Sequence, residues 1–287
     1  MKPEVTAFFD EATATVTYVV ADPKTRQAAI IDAVTDYDPA SGRISRQSAE
    51  RVADFVRAQN LAVEWVLDTH AHADHLTATN YLREKFKTKS GIGEHIADIQ
   101  AYWRTVFDMP YVAADGTPYD RLFRDGDTFS IGNMEARVIH TPGHTAADIT
   151  YVIGDAAFVG DTLFMPDYGT ARTDFPGGDA HTLYASIRKI LALPEDTRVF
   201  VGHDYLPETR KDNRWESTVA EQRQSNKHVH EGVSEEEFVK LREERNAKLG
   251  SPRLLYPSLQ VNIRGGNLPE PEANGSVYLK TPVREAS

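Results

Sequence analysis

The sequence contains no cysteine among its 287 residues. This absence excludes disulfide bonds, thiolate zinc sites, iron–sulfur clusters and a cysteine nucleophile. Any transition metal that the chain binds must therefore be held by histidine, aspartate or glutamate side chains.

Positive charge and long apolar runs are also scarce. The chain carries 32 basic and 43 acidic residues, a net charge of −11, and its basic residues form no continuous stripe. We therefore expect no nucleic-acid partner. No apolar run is long enough to cross a bilayer, so we expect no contact with a membrane. Residues 1–20 lack the basic-then-apolar pattern of a signal peptide, and we expect a cytoplasmic protein.

Short apolar segments and amphipathic segments alternate along the chain, which favours an α/β architecture. The pattern predicts strands at 5–9, 13–20, 27–32, 64–69, 89–93, 135–140, 149–153, 156–159 and 198–201. It predicts helices at 48–59, 77–86, 96–106, 182–193, 217–228 and 234–249. Residues 36–45 and the Pro- and Gly-containing tail after Gly250 are predicted to be irregular. We expect one domain over residues 1–287, to which the part from about 215 adds helices and a tail.

The densest group of metal-binding residue types lies between a predicted strand and a predicted helix. It consists of His70, His72, Asp74 and His75. Because alternate residues of an extended chain point the same way, His70 and His72 should share a direction. Asp74 and His75 should open the helix and point elsewhere. One loop can therefore present ligands to two adjacent metal positions.

Three further ligand candidates, His144, Asp161 and His203, each follow a predicted strand and are each preceded by glycine. Loops at strand ends are the usual place for α/β sites, and glycine permits the sharp turn that lifts the next side chain out of the sheet. Any one of these residues alone would more often be a cap or a turn former. Together with the four-residue cluster, they indicate a metal centre.

The remaining histidines lack this context, and we interpret them as surface or locally hydrogen-bonded residues. They are His95, His140, His181, His228 and His230. The last two lie in a charged stretch that we expect to be solvated.

In the order HAHADH, PGHT, GDT and GHDY, between Thr69 and Tyr205, the sequence resembles the metallo-β-lactamase superfamily. The resemblance implies an αβ/βα sandwich, in which two mixed sheets lie face to face between helices and the metal sits at one edge.

Within that superfamily, the sequence is similar to the bacterial type of the persulfide dioxygenase branch, which is related to the human ethylmalonic encephalopathy protein. Residues 169–175 (GTARTDF) look like the GRTDF segment of the branch, and Gly202–Tyr205 match its HDY. The sequence departs from the branch at Ala171, where a glycine is usual. It also has Thr170 where human-type proteins carry a cysteine, so no role of that cysteine can be transferred.

This resemblance implies one Fe(II) per chain, held by His70, His144 and Asp161 as a 2-His-1-carboxylate triad. The other cluster residues would surround these ligands or form a second metal site; they are His72, Asp74, His75 and His203. The implied reaction oxidises glutathione persulfide with O₂ to sulfite and glutathione.

Three residues are expected to contact the substrate or take part in catalysis. Arg172 and Tyr205 are expected to do both, and Arg264 is a further candidate for binding the tripeptide. The alternative for Arg172 is a structural salt bridge, for example to Asp174.

The full set of seven ligands also allows a dinuclear Zn/Fe thioester hydrolase of the glyoxalase II type. Asp161 would then bridge two metals, with His70, His72 and His144 on one and Asp74, His75 and His203 on the other. A minor alternative is a non-catalytic metal-binding module. The resemblance also leads us to expect a homodimer and allows a separate sulfurtransferase partner. The preferred thiol (glutathione, coenzyme A or another small carrier) stays open.

Overall fold

Two six-stranded sheets form the centre of the computed structural model, which describes residues 1–283 and residue 285. In spatial order, the first sheet contains β1 (Glu4–Asp10), β2 (Thr15–Ala21), β3 (Gln27–Ile31), β6 (Ala62–Leu67), β8 (Lys89–Gly93) and β9 (Arg121–Phe123). The second contains β10 (Thr128–Ile131), β11 (Met134–His140), β12 (Ile149–Ile153), β13 (Ala156–Phe158), β14 (Arg198–Phe200) and β15 (Glu216–Thr218). A small third sheet joins β5 (Arg43–Ser45), β4 (Val34–Asp38) and β7 (Leu76–Thr77).

Both large sheets are mixed, as predicted. In the first, β1, β2 and β3 form an antiparallel meander, and the pairs from β3 through β6 and β8 to β9 are parallel. In the second, β10 to β13 are antiparallel, β13 pairs with β14 in parallel, and β15 closes the sheet antiparallel to β14. Parallel neighbours end at the same edge of a sheet, so the loops that follow β3 and β6 lie together in the first sheet, and those that follow β13 and β14 lie together in the second.

Helices cover the outer faces of the sandwich. They are α1 (Gln47–Ala58), α2 (Thr79–Phe86), α3 (Ile96–Val106), α4 (Ala180–Leu191), α5 (Val219–Ser225), α6 (Glu235–Asn246) and α7 (Leu255–Asn262). Helices α1 and α2 pack on the first sheet, and α4, α5 and α6 pack on the second. Between the sheets lies an aromatic core that includes Tyr18, Phe123, Tyr151 and Phe158. The predicted α/β sandwich is therefore confirmed. Within the described residues, no helix has both the length and the apolar composition needed to cross a membrane.

The predicted loop at 36–45 was wrong, because these residues include most of β4 and all of β5, which pair as Tyr37 with Ile44. The turn between these strands contributes much of the composition of residues 36–45, so the sequence pattern does not reveal the two short strands. The helix expected from Ser48 begins one residue earlier, and the Ser48 hydroxyl donates to Asp36 Oδ1 (2.7 Å) instead of capping the helix.

The helix after the histidine cluster also begins later than expected. Leu76 and Thr77 pair with β4 as the two-residue strand β7, and α2 begins only at Thr79. Asp74 and His75 therefore lie in a loop and do not open the helix. The tail contains α7, which the sequence pattern missed because this helix buries polar residues such as Gln260 and Asn262 together with its apolar ones.

Candidate metal centre

The loops at one edge of the sandwich bring all seven predicted ligands together. In one group, His70, His144 and Asp161 place ligand atoms within 4.8 Å of one another. In a second group with the same spacing limit lie His72, Asp74, His75 and His203. All of these side chains are buried except that of Asp74, which is partly exposed.

Asp161 lies between the two groups. Its Oδ2 atom is 3.6 Å from His144 Nε2 and 4.0 Å from His70 Nε2. Its Oδ1 atom is 3.4 Å from His203 Nε2. This carboxylate can therefore serve one metal position or bridge two.

Close packing explains why glycine precedes the candidate ligands His203 and His144. At Gly202, a Cβ atom would lie 2.7 Å from Asp161 Oδ1, closer than real contacts allow. At Gly143, the backbone has a φ of +137°, and a Cβ atom would lie 2.4 Å from the backbone of Leu183. These glycines let the ligand-bearing loops pack against each other.

Hydrogen bonds fix which ring nitrogen of several histidines carries the proton. His144 Nδ1 lies 2.9 Å from the backbone oxygen of Arg172, and His203 Nδ1 lies 3.3 Å from that of Ala14. Because a carbonyl oxygen only accepts, the Nδ1 atom of each ring must donate. The Nε2 atoms then keep their lone pairs and face the cluster, as metal ligation requires.

Asp32 performs the same task for His70 and His72, and the sequence analysis missed it. Its Oδ1 atom accepts from His72 Nε2 (3.0 Å), and its Oδ2 atom accepts from the Thr69 hydroxyl (2.9 Å). That hydroxyl must in turn accept from His70 Nδ1 (3.0 Å). Burial raises the pKa of Asp32 to about 6, although hydrogen bonds from Thr69 oppose the shift. The carboxylate thus holds both rings with a free nitrogen toward the cluster.

The sequence did contain a signal for Asp32, because this acid ends the predicted apolar strand 27–32, close to where the other ligand candidates leave their strands. Asp148, directly before β12, is a second missed residue, and its Oδ1 atom lies 3.6 Å from His70 Nδ1. Burial raises its pKa to about 6 as well.

Unpartnered polar atoms test whether this cluster fits a metal. Among the described residues, several buried atoms of the cluster have no hydrogen-bond partner; they are Nε2 of His70, His75 and His203, Nδ1 of His72, Oδ2 of Asp74 and Oδ1 of Asp161. Each such atom would cost about 1–3 kcal/mol if nothing satisfied it. Burial also lowers the pKa of His70 and His72, which keeps these rings in the neutral form that binds metals. The donor set therefore fits a transition metal such as iron or zinc.

A cavity of about 440 Å³ opens onto this cluster. His144, Asp161 and Asp74 are among its lining residues, whereas the described lining residues do not include His70, His72, His75 or His203. Its walls also carry several aromatic and basic side chains: Phe164, Tyr168, Phe175, Tyr205, Arg172, Arg242, Arg245 and Arg253. A chain with a net charge of −11 thus places basic groups around the entrance to its metal cluster.

The structure brings two of the three predicted substrate residues to this cavity. The ring of Tyr205 stacks on that of His203, with centroids 5.4 Å apart. The guanidinium of Arg172 forms two 2.6 Å hydrogen bonds to Asp174. Arg264 is not among the described lining residues, and its guanidinium instead lies 5.9 Å above the ring of Tyr111.

His228 was placed wrongly by its sequence context. It is 4% exposed, not solvated, and its Nδ1 atom accepts from the backbone N–H of Thr170 (3.1 Å). Charged neighbours obscured this burial, because they face solvent while His228 faces inward.

Comparison with known proteins agrees with this geometry. Residues 11–203 match the family model described as the metallo-beta-lactamase superfamily. The chain is 54% identical, over 98% of its length, to a beta-lactamase hydrolase-like protein of Agrobacterium fabrum, and it spans 65% of that protein's length. It is 44% identical to glyoxylase B2 of Dictyostelium discoideum, covering 98% of this chain and 97% of that protein.

A second set of relatives carries a different name. The chain is 31% identical to the human mitochondrial persulfide dioxygenase ETHE1, over 90% of this chain and 87% of that protein. The solved structure of ETHE1 from Myxococcus xanthus superposes with a TM-score of 0.75 at 31% identity, covering 92% of this chain and 100% of that one. The chain therefore belongs to the metallo-β-lactamase superfamily.

Proposed function

We propose that this protein is an Fe(II)-dependent persulfide dioxygenase that converts glutathione persulfide, O₂ and water to glutathione and sulfite. The observation that carries the proposal is the grouping of His70, His144 and Asp161, two members of which line the cavity. Two histidines and one carboxylate on one face of an iron leave positions for a substrate and for O₂. The similarity to persulfide dioxygenase ETHE1 supports the same reaction.

The overall reaction constrains what the site must do. The S–S bond of the persulfide breaks, its terminal sulfur is oxidised to sulfite, and O₂ is reduced. Water supplies the remaining oxygen, and the thiol sulfur leaves with a proton. Iron, when bound, would supply the redox chemistry, and the protein would supply binding, orientation and charge.

The basic wall of the cavity suits an anionic thiol carrier. Arg245 and Arg253 are exposed at this wall and, in the part of the chain that the structure describes, form no ion pair. Arg172, by contrast, is already engaged by Asp174 and by the backbone oxygen of Gly250 (2.8 Å). We therefore propose that Arg245 and Arg253 bind the carboxylates of glutathione, because guanidinium pairs well with carboxylate. Arg172 would add positive charge beside them.

We propose that Tyr205 acts close to the reacting sulfur. Its ring lines the cavity and stacks on His203, next to the metal cluster. A phenol with an ordinary pKa of about 10 is protonated at neutral pH, so its hydroxyl can donate a hydrogen bond to a sulfur anion. We propose that it orients the bound persulfide in this way.

A dinuclear thioester hydrolase is the second candidate, and one observation favours it. Asp161 directs one oxygen toward each ligand group, as a bridging carboxylate would. Two bound metals would supply a hydroxide that is formed near neutral pH. The names of the hydrolase-like and glyoxylase B2 relatives point the same way.

Oxygen uptake on adding glutathione persulfide to the Fe(II)-loaded protein tests the proposal, with sulfite measured alongside. We expect uptake to match sulfite and to fall to background in His144→Ala. The control is His181→Ala, an exposed histidine paired with Glu235 outside the cavity, which should keep full activity. Absence of uptake with iron bound, together with hydrolysis of S-lactoylglutathione by the zinc-loaded protein, would establish the hydrolase instead. Inactivity on both substrates would favour a non-catalytic metal-binding module.

The location and the partners of the protein are further proposals that follow from this function. A cytoplasmic location, a homodimer and a separate sulfurtransferase that supplies the persulfide all stay predictions.

A further inference from the structure

Residues 169–173 form an irregular segment that crosses the cavity wall beside the metal cluster. This segment contributes the backbone oxygen of Arg172, which accepts the proton of His144 Nδ1 (2.9 Å). Since that hydrogen bond leaves His144 Nε2 unprotonated toward Asp161, the placement of the segment decides whether His144 can serve as a ligand.

His228 binds the start of the segment from the C-terminal part of the chain. Its Nδ1 atom accepts from the backbone N–H of Thr170 (3.1 Å) and lies 3.3 Å from the Thr170 hydroxyl. The approach is close because Gly169, with a φ of +108°, has no side chain, and a Cβ atom there would lie 2.2 Å from that same ring nitrogen. Burial, with Arg245 and Arg242 nearby, lowers the pKa of His228 to about 3, so the ring remains a neutral acceptor.

Helix α6 and the residues before it bind the segment at further points. Arg242, which is 2% exposed, donates from Nη1 to the backbone oxygen of Thr170 (3.0 Å) and from Nε to Asn246 (3.0 Å). Asn246 donates to the hydroxyl of Thr173 (2.8 Å). Asn226 donates to the backbone oxygen of Gly169 (3.1 Å). A buried guanidinium is costly unless its hydrogen bonds are satisfied, so its use to bind one irregular segment points to a requirement for rigidity there.

We propose that His228 and Arg242 are positioning residues for the metal centre. They hold residues 169–173 so that the Arg172 carbonyl fixes the tautomer and the direction of the His144 ring. Among the described residues, neither side chain forms a hydrogen bond or an ion pair with a candidate ligand; both act through the segment. The inference concerns metal binding and holds for either proposed reaction, so its failure would leave the assignment of the activity untouched.

The test measures the affinity of the metal-free protein for Zn²⁺ by competition with a chromophoric chelator. Groups that orient metal-binding histidines typically contribute roughly 10–100-fold to affinity. We expect His228→Ala to weaken Zn²⁺ binding by about tenfold. His228→Asn should restore most of the affinity, because Asn Oδ1 can occupy the place of His Nδ1 and accept from Thr170. His230→Ala is the matched control, since this neighbouring histidine is exposed and its side chain is hydrogen-bonded to the backbone oxygen of Glu231, away from residues 169–173.

A double-mutant comparison separates positioning from general destabilisation. If His228 acts through His144, then His228→Ala should have no further effect on Zn²⁺ affinity in the His144→Ala background. An equal loss in both backgrounds, or an unchanged affinity in the single variant, would overturn the proposal. So would a His228→Asn protein that binds no better than His228→Ala at the same melting temperature.

A milder variant keeps the test usable if His228→Ala does not fold. Asn246→Ala removes the hydrogen bond that Asn246 donates to Thr173 and the one that it accepts from Arg242, at a partly exposed site, and leaves the His228 contact in place. It should lower Zn²⁺ affinity severalfold in the wild-type background and leave it unchanged in the His144→Ala background. A loss of the same size in the His144→Ala background would count against the proposal.

Discussion

The histidines after β6 and the histidine after β11 are held by different kinds of partner. His70 and His72 depend on one carboxylate, Asp32, which directly follows β3, the parallel neighbour of β6 in the same sheet. His144 depends on a backbone oxygen in an irregular segment. Sheet register therefore places the first pair, whereas the third ligand is placed by distant residues such as His228.

This difference divides the site into two parts. The local half consists of His70, His72 and Asp32, and the long-range half consists of His144, residues 169–173 and the residues that hold them. The local half follows from strands that adjoin in space and whose ends meet at one edge. The long-range half depends on the chain after residue 215, which packs on the second sheet and holds the segment that contacts His144. Ligand identity can thus be encoded in short motifs, while ligand orientation is distributed along the chain.

The largest effect is expected from Asp32→Asn, in the local half. An amide in place of one carboxylate oxygen would donate to Thr69 instead of accepting from it. The Thr69 hydroxyl would then donate to His70 Nδ1. The His70 ring would carry its proton on Nε2, which could no longer bind a metal. We expect Zn²⁺ affinity to fall by roughly 10–100-fold. Chelator competition measures this loss. Asp54→Asn, at an exposed helical position paired with Arg57, should leave the affinity unchanged; a similar loss in both variants would contradict the assignment.

Gly169→Ala should distort the long-range half, although Gly169 is not itself a candidate ligand. A residue with a side chain at a positive φ is strained, and the added methyl group would meet His228 Nδ1. We expect the free energy of unfolding to fall by about 1–3 kcal/mol, together with a loss of Zn²⁺ affinity. Urea denaturation and chelator competition measure the two quantities. Gly42→Ala is the control, because it also has a positive φ but open space around it, and it should lower stability alone.

Acid should lower the free energy of unfolding through His228, in the long-range half. Its pKa is lowered to about 3 in the folded protein, chiefly by burial, against an ordinary value of about 6.5 in the unfolded chain. Between these values the unfolded state binds a proton that the folded state does not. The free energy of unfolding is therefore unaffected above about pH 6.5 and falls below it, by up to about 1.4 kcal/mol per pH unit.

Urea denaturation of the metal-free protein at several pH values tests this slope. His228→Asn lacks the titrating ring and should show a shallower loss of stability below about pH 6.5 than the wild-type protein does. Parallel curves for the two proteins would show that His228 does not titrate in this way.

The smallest effects are expected at the cavity rim. If Arg245 and Arg253 bind the carboxylates of glutathione, then Arg245→Gln and Arg253→Gln should each raise KM for glutathione persulfide severalfold. Because both side chains are exposed, the loss per residue should stay near 1 kcal/mol, with little change in kcat. Steady-state kinetics measures this split, and Arg214→Gln, on an exposed ion pair with Glu221 away from the cavity, is the control. An unchanged KM in both rim variants would assign substrate recognition to other residues, Arg172 first.

The sequence predicted that the candidate ligands lie together, because they follow short apolar strands and lie in ordered motifs. It missed Asp32 although this residue also follows an apolar strand, since a single acid there is ambiguous without its partners. His228 could not be recognised, because its contact with Thr170 spans 58 positions and its neighbours are charged. Arg264 was selected by residue type alone, and type does not decide which side of the molecule a side chain faces.

The central claim is that one iron, which His70, His144 and Asp161 would hold, catalyses the oxidation of a persulfide by O₂ in the cavity. The most direct test adds Fe(II) stepwise to metal-free protein without air and then measures the initial rate of O₂ uptake with glutathione persulfide. We expect the rate to rise linearly to one iron per chain and then to remain constant, with sulfite matching O₂ throughout. A rate that continues to rise to two metals per chain, or no uptake at any loading, would contradict the claim.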